Sequence, residues 1–558
     1  MEELIRTATY KALESLGVGD TVFAVEWPGD LKHGDYAVNA AMASAKKLGK
    51  SPRDVADQLA QSMRETLGES VTAIEVAGPG FINIRVAPQV ISSVLTTAYE
   101  KGGAWGRGVS REGEKVVFEY SCPNPFKEMH IGHLMSTVIG EASARIIESQ
   151  GARVLRDTYG GDVGPHVAKA LWALRKRGTT TPDTATEIGE AYAEGSRAYE
   201  DDEDAKQEID TLNTELYAAL AKEAEEQTPE EKQLLELWSL GRDLSYDSHK
   251  TIWKALGTVF DYIIHESETA PLGMRMVRKG EAQKVFEESE GAVIYRGEKK
   301  GLHTLVFITS RGTPTYETKD IGLAFLKEER MGPFDHSYIM TAAEQSGHFA
   351  VFISALEDIA PLLAKKTHHI AHGFLRLTTG KMSSREGGVI TARELLQEII
   401  TRASERNDDP VIAEEVAIGA LKYFILRQAP GGDIIFDPEQ SLSLEGDSGP
   451  YLQYALVRAR SILAQASDVE VTEADGTETL ARLITRFPEV VRKAEAQQAP
   501  QGITQYLTQL AGAWNSFYAR ERILGGTNEG EKIALVKAFV TTMENGLMML
   551  GIPAPEKM

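Results

Sequence analysis

His130 and His133 stand three residues apart around Ile131 and Gly132, and imidazoles so placed can each donate a hydrogen bond to a phosphoryl oxygen. Upstream, Lys115-Val116-Val117-Phe118 is a short apolar run with two β-branched residues, which predicts a buried strand. A Pro-Asn-Pro turn, Pro123 to Pro125, separates the two. Downstream, apolar residues fall at Leu134, Val138, Ile139, Ala142, Ile146 and Ile147, the spacing of a helix, with Gly151 as a fitting stop. The histidines therefore sit at the mouth of a helix that follows a strand. Such a mouth offers free N–H groups and a partial positive charge, which suit phosphate, and Gly132 lets a ligand approach the backbone. The pair alone equally fits a solvent-exposed helix start. A zinc site would need further His or Cys at ligand spacing, and the surrounding sequence has none.

A second element, Lys381-Met382-Ser383-Ser384-Arg385, lies in a loop ending Gly387-Gly388. In this order and far apart, the two elements resemble the two signatures of class I aminoacyl-tRNA synthetases, and their flanks resemble arginyl-tRNA synthetases. The resemblance extends over nearly the whole chain. His33-Gly34-Asp35-Tyr36 followed by Gly78-Pro79-Gly80-Phe81 is similar to the N-terminal domain of that family. The stretches from Gly449 to Leu463, from Ala513 to Tyr518 and from Leu550 to Met558 are similar to its anticodon-binding helical domain. The expected fold is multidomain α/β plus α: a Rossmann-like parallel-sheet catalytic domain, an α/β N-terminal domain and a C-terminal helical bundle. The expected boundaries are 1–110, 111–400 with an acidic helical insertion at about 166–250, and 401–558.

The elements that must position these residues follow along the chain. A turn from Leu31 leads to a helix over Ala40 to Leu48; Ser51-Pro52 opens another, and Phe81 to Ile84 alternates as a strand. Arg153-Val154-Leu155 predicts a second parallel strand, followed by Gly160-Gly161-Asp162-Val163-Gly164 at its carboxyl end. Acidic, Ala-rich helices occupy Glu187 to Tyr199 and Asp204 to Glu226. Strand-like runs return at Thr304 to Thr309, Tyr338 to Thr341 and His369 to Ala371, and Tyr316 and Asp320 share a helix face. Residues 410–558 read as helices.

Composition bounds the class. The 558 residues carry a net charge of −22, of which residues 181–240 hold −14 and the rest −8, so overall charge does not exclude a nucleic-acid partner. A single cysteine, Cys122, excludes an internal disulfide and fits a reducing cytoplasm. The opening residues form an amphipathic pattern without signal-peptide character, and no apolar run is long enough to cross a membrane.

The resemblance implies a two-step reaction using ATP, with Mg²⁺ commonly assisting, on L-arginine and tRNA(Arg), by a cytoplasmic monomer. His130, Gly132, His133, His348, Lys381, Met382 and Ser383 would meet ATP, with Arg385 and Lys127 as further cations. Ser384 replaces the second lysine of the fullest second signature, so which cation contributes most stays open. Glu119 and Asp320 would hold the guanidinium by bidentate hydrogen bonds, with Ser121, Tyr316 and Gln345 in the pocket and Asn124 at the α-amino or carboxylate end. Phe81 and Asn83 would meet a base of the tRNA elbow, or else serve core and turn; Tyr451, Arg458 and Trp514 would meet tRNA from the helical domain. No resident metal site is expected. The family typically requires tRNA for arginine activation, which is the expectation here. Other readings are another class I synthetase, a nucleotidyl transferase of the same fold, or a non-catalytic tRNA-binding paralogue. A dehydrogenase is disfavoured because no Gly-x-Gly-x-x-Gly follows the first strand.

Overall fold

In the computed structural model, which describes residues 1–378, 390–466 and 468–558, three regions share one continuous apolar core. The N-terminal region packs helices Glu2–Ser15, Ala40–Leu48 and Pro52–Leu67 on a four-stranded antiparallel sheet. One of its strands, Tyr36–Val38, lies where the sequence suggested only a turn. It pairs with Phe81–Val86, and Gly34 makes that approach possible: a Cβ there would sit 2.7 Å from the Ile84 carbonyl oxygen.

The central region holds five parallel strands: β1 (Lys115–Glu119), β2 (Arg153–Gly160), β3 (Tyr262–His265), β4 (His336–Ala342) and β5 (Thr367–His372). Their spatial order is β5-β4-β1-β2-β3, so strand order reverses between β1 and β4. In doubly wound sheets ligands bind outside the carboxyl ends of the strands at such a switch point. Helix α1 (Ile131–Ser149) follows β1, while α2 (Pro229–Ala255), α3 (Glu266–Ala282), α4 (Tyr316–Met331) and α5 (Ser346–Ile359) complete the layers used below. The predicted run Thr304 to Thr309 is a strand, Leu305–Ile308, but it belongs to a separate three-stranded antiparallel sheet. The four-residue β3 was missed because it passes straight into α3 without a turn signal. The acidic segment forms helices Ala185–Asp201 and Glu203–Leu220, with Asp202 capping the second through two backbone N–H groups.

Side-chain parity along β1 decides what each residue faces. Val116, Phe118 and Tyr120 face the core shared with α1; Val117 faces the one shared with α4 and α5. Glu119 follows Val117, so its carboxylate points toward α4. There Lys327 meets it at 2.5 Å and also reaches Asp157 of β2 at 2.9 Å, all three buried. Burial raises the Glu119 pKa, Lys327 pulls it back and Asp157 adds to the rise. Beyond the sheet, helices α6 (Gly449–Gln465), α7 (Phe487–Ala496) and α8 (Gln501–Arg520) form part of the C-terminal bundle.

Replacing Lys327 by Met should leave two buried carboxylates without a cation and cost about 3–5 kcal/mol, measured by urea unfolding at pH 8. The deficit should shrink at pH 5, below the value of about 7 to which Glu119 is lifted; an equal deficit at both pH values would contradict the assigned charges.

Candidate active site

His130 and His133 close the start of α1 on each other. His130 Nδ1 accepts from the Gly132 N–H at 3.0 Å, and His133 Nδ1 accepts from the His130 N–H at 3.2 Å. The result is a reciprocal cap built from two imidazoles stacked 3.7 Å apart. Because each Nδ1 is an acceptor, each neutral ring carries its proton on Nε2. Burial lowers both pKa values; Lys127 lowers His130 further, and His130 lowers His133. Two neutral donors thus stand at the positive end of a helix, where a phosphoryl group can be bound without first protonating either ring. Gly132 is required by the ring itself, since a Cβ would meet His130 Cε1 at 2.8 Å.

The loop joining β1 to α1 holds Ser121, Cys122 and Phe126 at φ of 72°, 50° and 64°, left-handed values that non-glycine residues rarely adopt. Helix α2 braces it from residues four apart. Ser245 Oγ accepts from the Phe126 N–H at 3.0 Å, His249 Nε2 donates to the Lys127 carbonyl at 3.1 Å, and Trp253 Nε1 donates to Ser121 Oγ at 2.9 Å. These three positioning residues escaped the sequence reading: their i, i+4, i+8 spacing marks one helix face but not what that face meets. Ser121 is corrected accordingly: it is 3% exposed, its hydroxyl accepts from Trp253 and Thr137, and it braces the loop instead of facing a ligand. Asn124 Oδ1 accepts from the Gly161 N–H at 2.8 Å, joining this loop to the one after β2. Lys127 Nζ lies 4.8 Å from the Tyr192 ring centre.

At the other side of the switch point, His348 at the start of α5 bridges Asp320 at 2.6 Å and Glu317 at 3.3 Å, both on α4. Burial opposes its charge, but Asp320 and then Glu317 lift its pKa to about 10, so it is an imidazolium at neutral pH. Tyr316, at the first turn of α4, is 67% exposed, and Gln345 directly precedes α5 at an exposed position. The sequence predicted Glu119 and Asp320 as two open carboxylates. The structure corrects this: each is already paired with a cation, Lys327 or His348, because β1 parity turns Glu119 into the α4 layer. The sequence reading missed Glu266, a buried carboxylate at the start of α3 that pairs with Lys319 and packs against Gly161. Burial raises its pKa, Lys319 opposes, and Asp320 and Asp162 add to the rise.

Lys381, Met382, Ser383, Ser384 and Arg385 lie outside the described residues. The chain just after them is tied to the histidines: Thr391 forms an antiparallel bridge with His130, Ile131 N–H donates to the Ile390 carbonyl, and Ala392 N–H donates to the Met129 carbonyl. Far from this cleft, Phe81 and Asn83 share the outer face of their strand, which resolves the alternative of a core Phe81. Tyr451 accepts from Asn515 at 3.1 Å, and the Arg458 guanidinium stacks 4.0 Å from the centre of the Tyr518 ring at the surface. Trp514 is corrected: it is fully buried, stacked on Phe539 at 4.7 Å, and offers no face to a nucleic acid. It falls on the apolar stripe of α8 with Leu507, Leu510 and Phe517.

Comparison with known proteins gives three successive family matches: "Arginyl tRNA synthetase N terminal domain" over residues 2–86, "tRNA synthetases class I (R), catalytic domain" over 95–437, and "DALR anticodon binding domain" over 452–558. An arginine–tRNA ligase of Pediococcus pentosaceus is 30% identical, with 96% of this chain and 95% of that protein aligned. One of Flavobacterium psychrophilum is 28% identical with both chains covered in full. The solved Thermus thermophilus arginyl-tRNA synthetase superposes with a TM-score of 0.80 at 27% identity, again over 100% of both chains.

The imidazole cap predicts a titration pattern readable by ¹⁵N and ¹³C NMR of labelled histidines. His130 and His133 should show the Nε2–H tautomer and midpoints below 6.5, while His348 stays charged to about 10. Since both cap values are depressed, their contribution to stability is complete above about pH 6.5 and is lost as pH falls through the folded-state values. An Nδ1–H tautomer at either position would refute the cap.

Proposed function

The chain belongs to the class I arginyl-tRNA synthetases, and on that footing we propose that it activates L-arginine with ATP and transfers it to the 3′-terminal adenosine of tRNA(Arg). In the first step the arginine carboxylate attacks the α-phosphorus; the bond to pyrophosphate breaks and arginyl-adenylate forms. In the second, a ribose hydroxyl of the terminal adenosine, the 2′-hydroxyl by the class I rule, attacks the arginyl carbonyl and AMP leaves. The observation that carries the reading is the pair of neutral Nε2–H donors on a helix N-terminus at the sheet's switch point. Charge gathers on phosphorus and on the leaving pyrophosphate, and fixed donors stabilise it without reorganising.

His130 and His133 donate to phosphate oxygens, and Lys127, Lys381 and Arg385 supply positive charge beside them. Asp320 reads the guanidinium, with Tyr316 and Gln345 around it and Asn124 at the α-amino or carboxylate end. Glu266 is the second carboxylate of that pocket. The His348 imidazolium is a placeholder on Asp320 that the substrate guanidinium displaces toward the nucleotide. Mg²⁺ would be held mainly by the nucleotide's own phosphates. No cluster of three metal-ligating side chains exists among the described residues. Phe81 and Asn83 present a stacking face and an amide to a tRNA base, and Tyr451 with Arg458 marks the anticodon-facing surface of the bundle. The enzyme acts as a cytoplasmic monomer; no described helix is long and apolar enough to cross a membrane.

The decisive assay is ATP–pyrophosphate exchange with each amino acid, with and without tRNA(Arg). Exchange should require both arginine and tRNA and fall about 100-fold in His133→Ala, for the loss of on the order of 3 kcal/mol at the transition state. Exchange without tRNA would remove the tRNA requirement alone. Exchange with another amino acid would overturn the Asp320 pocket, and tRNA binding without any exchange would mark a non-catalytic paralogue.

A further inference from the structure

The acidic helical insertion has a hydrophobic core of its own, and one member of that core comes from outside it. The buried members run from Val167 to Trp238, with the single exception of Phe126. Phe126 stands in the left-handed turn between β1 and α1 and is fully buried. Gly241 of α2 leaves room for its ring, since a Cβ there would sit 2.5 Å from Phe126 Cε1. The turn is thus plugged into the insertion by an aromatic side chain, the kind with the largest apolar surface to bury.

The residue after the plug is Lys127, whose carbonyl His249 already fixes. Its ammonium lies 4.8 Å from the centre of the Tyr192 ring, inside the range of cation–π attraction. Ile188, Tyr192 and Gly195 recur at i, i+4 and i+7 and share one face of helix Ala185–Asp201. That face is pinned on both sides of the tyrosine. Ile188 is buried in the same core as Phe126, and a Cβ on Gly195 would collide with the Lys169 carbonyl oxygen of helix Pro165–Arg177. The ring is therefore placed by packing. The charge effects agree with a cation held there. Burial opposes ionisation of Tyr192, yet Lys127 pulls its pKa below the usual value. On the other side, burial lowers the His130 pKa and Lys127 lowers it further. A lysine stem has many rotamers to lose. A carboxylate would fix the ammonium but cancel its charge, whereas a ring face fixes it and leaves the charge whole.

We propose that the acidic insertion is a clamp on the turn between β1 and α1: its core holds Phe126, and the Tyr192 ring seats the Lys127 ammonium beside the imidazole pair. Tyr192 is thus a positioning residue that acts through Lys127. The proposal rests on the reading of Lys127 as a phosphate-facing cation, and it gives the insertion a task that its surplus of exposed acids conceals.

Tyr192→Leu, Tyr192→Phe, Lys127→Met and the combination of Tyr192→Leu with Lys127→Met test it. Arginine-dependent ATP–pyrophosphate exchange is measured with tRNA(Arg) present. Lys127→Met should lower kcat about 100-fold. Tyr192→Leu should lower it about tenfold, with KM for arginine and Kd for tRNA unchanged, and Tyr192→Phe, which keeps the ring, should stay within about twofold of the wild type. On the Lys127→Met background, Tyr192→Leu should change the rate by less than about twofold, because a seat without its occupant does nothing. A second readout needs no activity. The His130 midpoint, followed by NMR, should rise by about 0.3 unit or more in Lys127→Met and in Tyr192→Leu alike, and hold in Tyr192→Phe. Glu344, which raises that midpoint, is the same in every variant. In the wild type, the Lys127 ε-methylene protons, identified by their loss in Lys127→Met, should lie upfield of those of free lysine through the ring current. That shift reads the seat even if thermal melting shows Tyr192→Leu unfolded. Rate losses that simply multiply in the double variant would overturn the proposal. So would a wild-type His130 midpoint in folded Tyr192→Leu, or an unshifted ε-methylene. A wild type that exchanges with no amino acid would instead overturn the ligase reading, and the midpoint and the ε-methylene shift would then decide the seat by themselves.

Discussion

The left-handed turn between β1 and α1 is the constraint on which the rest of the site depends. Three non-glycine residues there hold φ values that cost on the order of 1–3 kcal/mol each, so the turn persists only because its surroundings over-determine it. The over-determination comes from α2, whose Ser245, His249 and Trp253 each bind a different point of the loop. With the turn fixed, α1 begins where His130 can seat over Gly132, and the two imidazoles take up fixed tautomers. A relaxed turn would move the helix mouth away from the carboxyl end of β1 and separate the donors from the carboxylates across the sheet.

The electrostatics follow one pattern. Several carboxylates near the cleft are paired locally: Glu119 and Asp157 share Lys327, Glu266 meets Lys319, and Asp320 and Glu317 share His348. The chain's large negative charge therefore says little about the cleft, where much of the surplus belongs to the acidic helical segment. Matched pairs in a poorly solvated wall are costly to break by removing one member.

Much of the frame was legible in the sequence. The strand, turn and helix around His130 show themselves through local sequence alone, as do the helix Ala40–Leu48 and the strand that begins at Phe81, although local sequence leaves open which way Phe81 faces and the structure places it outward. What escaped has physical causes. The braces on α2 lie more than a hundred residues from the loop they hold, and no local pattern encodes that meeting. Glu119 could be placed only once it was known which sheet face α4 covers, and strand parity without topology leaves that open. Trp514 shows the matching ambiguity for helices: periodicity marks a stripe, but an aromatic at its edge turns inward or outward according to neighbours such as Phe539. The strand over Leu305–Ile308 was visible, whereas its antiparallel partners were not, because pairing direction depends on where the chain returns.

The short bridge between His130 and Thr391 has a consequence for how the molecule breathes. Met129, Ile131, Ile390 and Ala392 exchange backbone hydrogen bonds across it, and Thr391 is also the cap of helix Ala392–Ser404, which leans on the helix Pro410–Leu426. The two amides in this exchange can open to solvent only when the helix mouth and the cap part company. The lifetimes of their protons therefore report on a shared opening event.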